Sequence, residues 1–435
     1  MPPNVVIVIT HDTGRHLGAY GRPVATPNLD RLAAEGVLFE QAFCPAPQCS
    51  PSRASLLTGL MPHRHGLIGL AHRGFRLHPD ALQRTLPRLL GEAGYRTHLF
   101  GFQHEAEHPY ALGYQQVVQP RPTGSRPHLC RDVAPAAAEL LASRPTEPFF
   151  AMVGFEETHR PFEPTDTSLA NVQVPEFLPD TPVVRRDIAD LERAVREADA
   201  AIGQLLTALN RSDLADRTLF IYTTDHGIAF PGAKGTLFDP GIEVGLIARG
   251  PGGFGGGRRL PGLVATVDLF PTILELCGVT APADGDGVSL LPMITGSAQS
   301  VRQELFAELT YHTAYDPMRS IRTERYKYIR SFSDRPLHLP AHVDASPTKD
   351  LLRDRGYFEQ RRPPELMFDL VQDPWERTNL AGDPISASVR DALRDRLERW
   401  MRSTGDPLLD GDVAAPAGAT LTPVDAYAPE GRSAS

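Results

Sequence analysis

Cysteine is scarce: the 435-residue chain has four, at positions 44, 49, 130 and 277. Their spacing gives neither a disulfide framework nor a CxxC metal pair. Cys44, Cys130 and Cys277 therefore read as small buried apolar side chains. Long hydrophobic runs are absent where a membrane anchor would need one. The apolar stretch at residues 5–9 falls far short of the roughly 20 residues that span a bilayer. No basic segment precedes that stretch and no small-residue cleavage site follows it, so a cytoplasmic protein without a membrane partner is expected. Positive charge is in deficit, with a net charge of -9, and this argues against a nucleic-acid partner. An anionic small substrate would need cations gathered locally.

What is present is ordinary for a globular enzyme: 41% hydrophobic and 22% charged residues, enough to cover both faces of a sheet. Strands are expected at residues 5–9, 96–100, 149–155, 218–223 and 242–248. Helices are expected at 26–33, with Thr26 as N-cap and Pro27 in the first turn, and from just after Pro51 to 57. Others fall at 82–93 (Pro87 near the start or at a kink, Gly94 as the stop), 187–210 and 267–277. The alternation predicts an α/β fold over residues 1–300, a mostly parallel central sheet sandwiched by helices. Short strands at 304–309, 320–322, 326–330 and 366–369, with a closing helix at 387–404, predict a smaller C-terminal α+β unit over 301–410 carrying a short antiparallel sheet. Residues 411–435, rich in Ala, Pro, Gly, Ser and Thr, are expected to be a disordered tail. There is no internal repeat.

Ligands of open α/β sheets bind beyond the carboxyl ends of the strands. Titratable residues recur at those positions. His11 and Asp12 follow the first strand, and His104 follows 96–100. His159 and Arg160 follow 149–155, while Asp225, His226 and then Lys234 follow 218–223. Any one of these histidines would read as an ordinary core or surface residue. Their joint placement on one rim points to a catalytic centre.

The most specific segment is Cys49-Ser50-Pro51-Ser52-Arg53, continuing to Leu57-Thr58-Gly59. It resembles the C-x-P-S-R signature of the type I, formylglycine-dependent sulfatases of the alkaline-phosphatase superfamily. The segments Thr224-Asp225-His226-Gly227 and Ala233-Lys234-Gly235, the helix start at Val267-Asp268, and Tyr326-Lys327-Tyr328 with Asp373-Pro374 are similar to further family motifs, so that the resemblance spans about residues 3 to 405. It implies that a separate formylglycine-generating enzyme oxidises Cys49. The hydrated aldehyde then has one hydroxyl to attack sulfur and a second to release the covalent sulfate. It implies a divalent metal held by His11, Asp12, Asp225, His226 and an oxygen of modified Cys49. Family precedent makes Ca²⁺ the leading ion, although two imidazoles among the donors favour Mn²⁺ or Zn²⁺. It also implies His104 as base, His159 as acid to the leaving atom, Lys234 as the sulfate-binding cation, and Arg53 stabilising charge at the nucleophile.

Two positions depart from the family pattern. His11 stands where an aspartate is usual. In Gly101-Phe102-Gln103-His104, Phe102 stands where a lysine is common, so that either Gln103, His98 or another group substitutes for it or sulfate binding is weaker. The segments at 318–323 and 345–352 look like the C-terminal region of sulfamidases, which cleave the N-sulfate of glucosamine. A sulfated small molecule or saccharide is the implied substrate, with Arg160, His312 and Arg319 as its expected contacts. Two rival functions share the fold: a phosphodiesterase or phosphonate monoester hydrolase, and a degenerate relative that binds sulfated glycans without turnover. Oligomeric state is not written in the sequence.

Overall fold

The computed structural model describes residues 2–146 and 148–429. Eight strands form the main sheet: β1 (Asn4–Thr10), β2 (Val37–Phe43), β3 (Arg96–Gly101), β4 (Gln116–Val118), β5 (Phe149–Gly154), β6 (Thr218–Thr224), β7 (Leu246–Arg249) and β8 (Arg258–Ala265). Their order is β4-β3-β5-β1-β6-β7-β2-β8. All pairings are parallel except those of β7, which runs antiparallel to β6 and β2. The mostly parallel sandwich expected from the alternation is therefore what forms.

Helices α1 (Pro27–Glu35), α2 (Cys49–Thr58), α3 (Leu86–Glu92), α4 (Cys130–Ala142), α5 (Pro182–Arg211) and α6 (Leu269–Leu276) cover the two faces. The period-2 alternation of a strand divides the core between them. Val6 and Val8 of β1 pack with Ile188, Val195, Ile202 and Leu206 of α5. Val5, Ile7 and Ile9 pack on the opposite face with Leu56, Leu57, Leu90 and Phe270.

Several boundaries differ from those read in the sequence. Pro87 lies in the first turn of α3, so the segment expected as one helix from 82 begins at Leu86, behind Thr85. Thr26 occupies the N-cap position of α1 but spends its hydroxyl on Asp30 instead of the helix. The strand expected at 242–248 starts only at Leu246, after a helical turn at Asp239–Ile242. Strands β2 and β8 and helix α4 were not expected. β8 contains Pro261, which an edge strand tolerates because its outward N–H has no partner to lose. Pro135 lies inside α4 and disguises its helical pattern.

A second, antiparallel sheet has the order β12-β11-β10-β9: β9 (Glu304–Tyr311), β10 (Tyr315–Thr323), β11 (Tyr326–Ser331) and β12 (Glu365–Asp369). Between β11 and β12 lies α7 (Pro347–Asp354), and after β12 comes α8 (Ala387–Thr404). Ile321, Tyr328 and Met367 pack on Leu393, Leu397 and Met401 of α8. The other face joins the main core through Leu305, Ala307, Leu309 and Phe368. Charged groups also cross the junction: Asp239 accepts from Lys327 (2.7 Å) and Arg322 (3.0 Å), all buried.

Residues 411–429 fall within the tail expected from 411 onward. They lie against the body, with Thr422, Ala426 and Ala428 buried. Residues 430–435, like Met1, fall outside the described residues. No helix among the described residues is long and apolar enough to cross a membrane.

Candidate active site and metal centre

The three central strands deliver the site. β1 ends at Thr10 and β6 at Thr224 in register, with Ile9 beside Gly154 of β5. His11–Asp12 and Asp225–His226 therefore emerge side by side. Asp12 has φ +51°, an uncommon conformation for a residue other than glycine. Its N–H donates to Asp225 Oδ1 (2.9 Å), which also accepts from the His226 N–H (2.9 Å). Cys49 opens the buried helix α2, whose N-terminal partial positive charge favours an anion there. One turn on, Arg53 donates from Nε to Asp225 Oδ2 (3.0 Å). Ser52 Oγ donates to the Asp225 carbonyl (2.5 Å), tying α2 to the end of β6.

The ligand atoms of His11, Asp12, Cys49, Asp225 and His226 all lie within 4.8 Å of one another and all are buried. His226 Nδ1 faces the Gly227 carbonyl (3.0 Å), which directs Nε2 at Asp12 Oδ1 (3.0 Å) and Cys49 Sγ (3.4 Å). His11 Nδ1 is 2.8 Å from Asp12 Oδ1. His11 thus turns into the cluster. Burial opposes charge on both imidazoles, but Asp225 and its neighbours outweigh it and push His226 well up and His11 up to about 10. Burial likewise opposes ionisation of Cys49, yet His11 and His226 hold the thiol well below its usual value. Two carboxylates and a thiolate buried together demand positive charge. Arg53 and Lys234 meet part of that demand, and a divalent cation with nitrogen, oxygen and Cys49-derived ligands would meet the rest. The residues fit such an ion.

Lys234 borders this cluster and donates to Asp12 Oδ2 (2.7 Å) and Asp344 Oδ2 (2.9 Å). Burial works against its charge, but these carboxylates prevail and raise its pKa. Its loop depends on Gly235: φ is +73°, and a Cβ there would lie 2.8 Å from His342 Cβ. His159 presents Nδ1 to the Arg160 carbonyl (2.6 Å) and Nε2 to Lys234 (3.4 Å). Burial and then Lys234 lower its pKa. Resting His159 is therefore an acceptor at Nε2 and needs a proton before it can serve as an acid. His104 helps to hold the Cys49 thiol low, and its own Nδ1 is buried with no protein partner. Its Nε2 lies 2.5 Å from Nδ1 of His72, on which it stacks.

Phe102 packs edge-on to His11 and His104 and lies 4.9 Å under the Arg53 guanidinium. It makes an apolar wall where the family pattern has a cation. Gln103 is occupied within its own turn, donating to the Ala106 carbonyl and accepting from Glu105 and Ala106. His98 stacks on Phe100 in β3. Neither takes the lysine's place.

Of the three expected substrate contacts, only His312 reaches the site. It is buried, its Nδ1 has no protein partner, and burial, His342 and Lys234 keep it neutral. Arg160 is committed to Asp187 (2.7 and 2.9 Å) and the Ala229 carbonyl, between Phe162 and Phe230. Arg319 is committed to Asp406 and the Leu309 carbonyl. Both arginines are structural ties, because bidentate pairing leaves them no fork for a ligand. The sequence reading missed His72 and Asp344. Neither follows a strand of the main sheet; the only signal was a histidine-rich stretch holding His63, His65, His72 and His78.

Arg53 supplies the remaining cue. Its Nη2 is buried with no protein partner, a charged donor kept for something the chain does not provide.

The chain is similar to known proteins along most of its length. A family profile described as Sulfatase matches residues 3–279, and one described as N-sulphoglucosamine sulphohydrolase, C-terminal, matches 231–344. The chain is 30% identical to human N-sulphoglucosamine sulphohydrolase, over 93% of this chain and 91% of that protein. It is 29% identical to an ulvan-active sulfatase of Formosa agariphila, over 95% and 83% respectively. A 2-O GAG sulfatase superposes with a TM-score of 0.74 at 22% identity, covering 98% of this chain and 97% of the other. A chain solved in complex with its substrate, D-glucosamine-2-N,6-O-disulfate, superposes with a TM-score of 0.73 at 20% identity, covering 95% and 100%. At these identities the superpositions speak to the fold.

Proposed function

The chain belongs to the sulfatase family, and from that premise we propose that it hydrolyses a sulfate ester or sulfamate on a sugar, using Cys49 after oxidation to formylglycine. The observation that carries this is the convergence of Cys49, His11, Asp12, Asp225 and His226 within 4.8 Å, bordered by Arg53 and Lys234. A hydrated aldehyde at residue 49 would supply the nucleophilic hydroxyl and a second hydroxyl for release of sulfate. A divalent cation in the five-residue cluster would supply Lewis-acid stabilisation of the developing charge; calcium is the ion of family precedent, and the two imidazoles extend the choice to Mn²⁺ and Zn²⁺.

The chain's own groups divide the rest of the work. Arg53 Nη2 and the Lys234 ammonium hold sulfate oxygens, and the buried setting strengthens both contacts. His104 takes the proton of the nucleophile and passes it toward His72, its hydrogen-bonded neighbour. His159, an acceptor at Nε2 at rest, takes a proton from solvent and delivers it to the leaving oxygen or nitrogen, with the Lys234 ammonium keeping its own proton. Neutral His312 offers Nδ1 to the sugar. Phe102 contributes no charge, which matches a singly charged sulfate better than a doubly charged phosphate monoester. An N-sulfated glucosamine is the preferred substrate class, from the similarity to N-sulphoglucosamine sulphohydrolase over both matched segments.

Mass spectrometry across the Cys49 peptide of protein made alongside a formylglycine-generating enzyme is the test. The expected mass is about 18 Da below the thiol form, the arithmetic of replacing CH2–SH by an aldehyde, with aryl-sulfate turnover lost in Cys49→Ala. Turnover by unmodified protein, or by Cys49→Ala, would refute the nucleophile.

A further inference from the structure

The C-terminal segment does something its composition hides. Val413 is pinned between two tyrosines: its N–H donates to Tyr315 Oη (3.0 Å) and its carbonyl accepts from Tyr311 Oη (2.6 Å). Thr420 N–H then donates to the Arg73 carbonyl (2.9 Å), and Thr422 N–H to the Thr313 carbonyl (2.7 Å). Arg73 returns its guanidinium to Thr422 Oγ1 (2.9 Å) and the Pro429 carbonyl (2.6 Å). Tyr427 lies over Lys349 of α7, with Nζ 4.3 Å from its ring and donating to its carbonyl. The segment is a strap bonded at both ends and in the middle.

Its course matters because of what its anchors adjoin. Arg73 follows His72, which stacks on His104 of the candidate site. Thr313 follows His312, the neutral histidine beside Lys234. The strap therefore bridges two loops that each carry a side chain of the site. Gly418 and Thr420 form one side of a cavity of about 690 Å³ whose other walls include His72, Arg73, Arg76 and His104. That volume lies within the roughly 300–1,000 Å³ of small-ligand pockets. The approach is close as well as bonded: Gly74 has φ +94°, and a Cβ there would lie 3.1 Å from Ala419 Cα.

We propose that residues 413–429 are a fixed wall of the substrate cleft and determine specificity, admitting a sulfated sugar at a chain end and excluding one inside a longer glycan. A polymer threading this cavity in both directions would have to displace the strap and its backbone hydrogen bonds to Tyr311, Tyr315, Arg73 (carbonyl and guanidinium) and Thr313. The inference rests on the sulfatase reading and fixes its substrate class.

The test is calorimetric binding to the Cys49→Ser protein, which separates recognition from turnover. The ligands are N-sulfoglucosamine and a hexasaccharide carrying the same group only at internal positions. The full chain is expected to bind the monosaccharide at least about tenfold more tightly, a difference near 1.4 kcal/mol. Truncation after Asp412 should bring the two within about threefold by improving the hexasaccharide. Gly74→Val, which pushes the strap away without removing it, should move the ratio the same way and covers the case in which the truncated chain fails to fold. Equal binding by the full chain, or an unchanged ratio in a folded variant, would overturn the proposal. Failure of the sulfatase reading looks different and removes the proposal with it: neither ligand binds any form.

Discussion

Phe102 shows how one side chain sets the charge of this site. The guanidinium of Arg53 rests on its ring at 4.9 Å, an attraction worth about 0.5–2 kcal/mol, while Arg53 Nη2 stays unpartnered. A lysine at 102 would exchange that contact for a second mobile cation beside the sulfate position. Phe102→Lys is therefore expected to raise turnover of an aryl phosphate relative to an aryl sulfate by about tenfold, or 1.4 kcal/mol, read from paired kcat/KM values. An unchanged ratio would mean that residue 102 does not face the bound anion. The departure at 102 was visible in the sequence, but its consequence was not: only the structure shows that Gln103 and His98 are engaged elsewhere and that an aromatic wall replaces the lysine. Arg160 and Arg319 teach the reverse. Each lies near motif residues, and each is paired bidentately with a carboxylate 27 and 87 positions away, a separation no local pattern encodes.

Among elements, the contact of the second sheet with the main body carries a titratable lock. His63, in the turn after α2, pairs with Glu308 of β9 (2.6 Å), while Arg319 of β10 pairs with Asp406 after α8. Burial opposes charge on His63, but Glu308 outweighs it and raises its pKa. Burial also opposes charge on Glu308, and His63 with Arg319 brings it down to about 2. The signs fix the window. Raised His63 contributes stability that is complete below its unfolded value of 6.5 and is lost as pH rises through the folded value. Depressed Glu308 contributes stability that is complete above 4.5 and is lost as pH falls toward 2. Thermal stability should therefore peak between those two unfolded values, and His63→Gln should flatten the alkaline limb. A melting series showing the same alkaline slope in both proteins would exclude the lock.

At the scale of the whole molecule, the site staples together segments from β1, α2 and β6 that are far apart in the chain. A cation bound there stabilises the native state by mass action, about 2.7 kcal/mol at a hundredfold excess over its Kd. Chelation should lower the melting temperature by several degrees, and readdition of Ca²⁺, Mn²⁺ or Zn²⁺ singly should restore it, ranking the ions by donor preference. A melting temperature indifferent to chelator in protein shown to contain metal would place the ion outside the five-residue cluster. The sequence alone determined the α/β alternation, the rim position of the candidate site's side chains and the signature at Cys49. These follow from local periodicity and from the rule that parallel strands present their carboxyl ends on one side. Tertiary structure alone decided which arginines were already taken, that His72 and Asp344 belong to the site, and that residues 411–429 are packed. Pairing partners and the route of a polar tail depend on contacts between distant segments, and no pattern within a short stretch of chain records them.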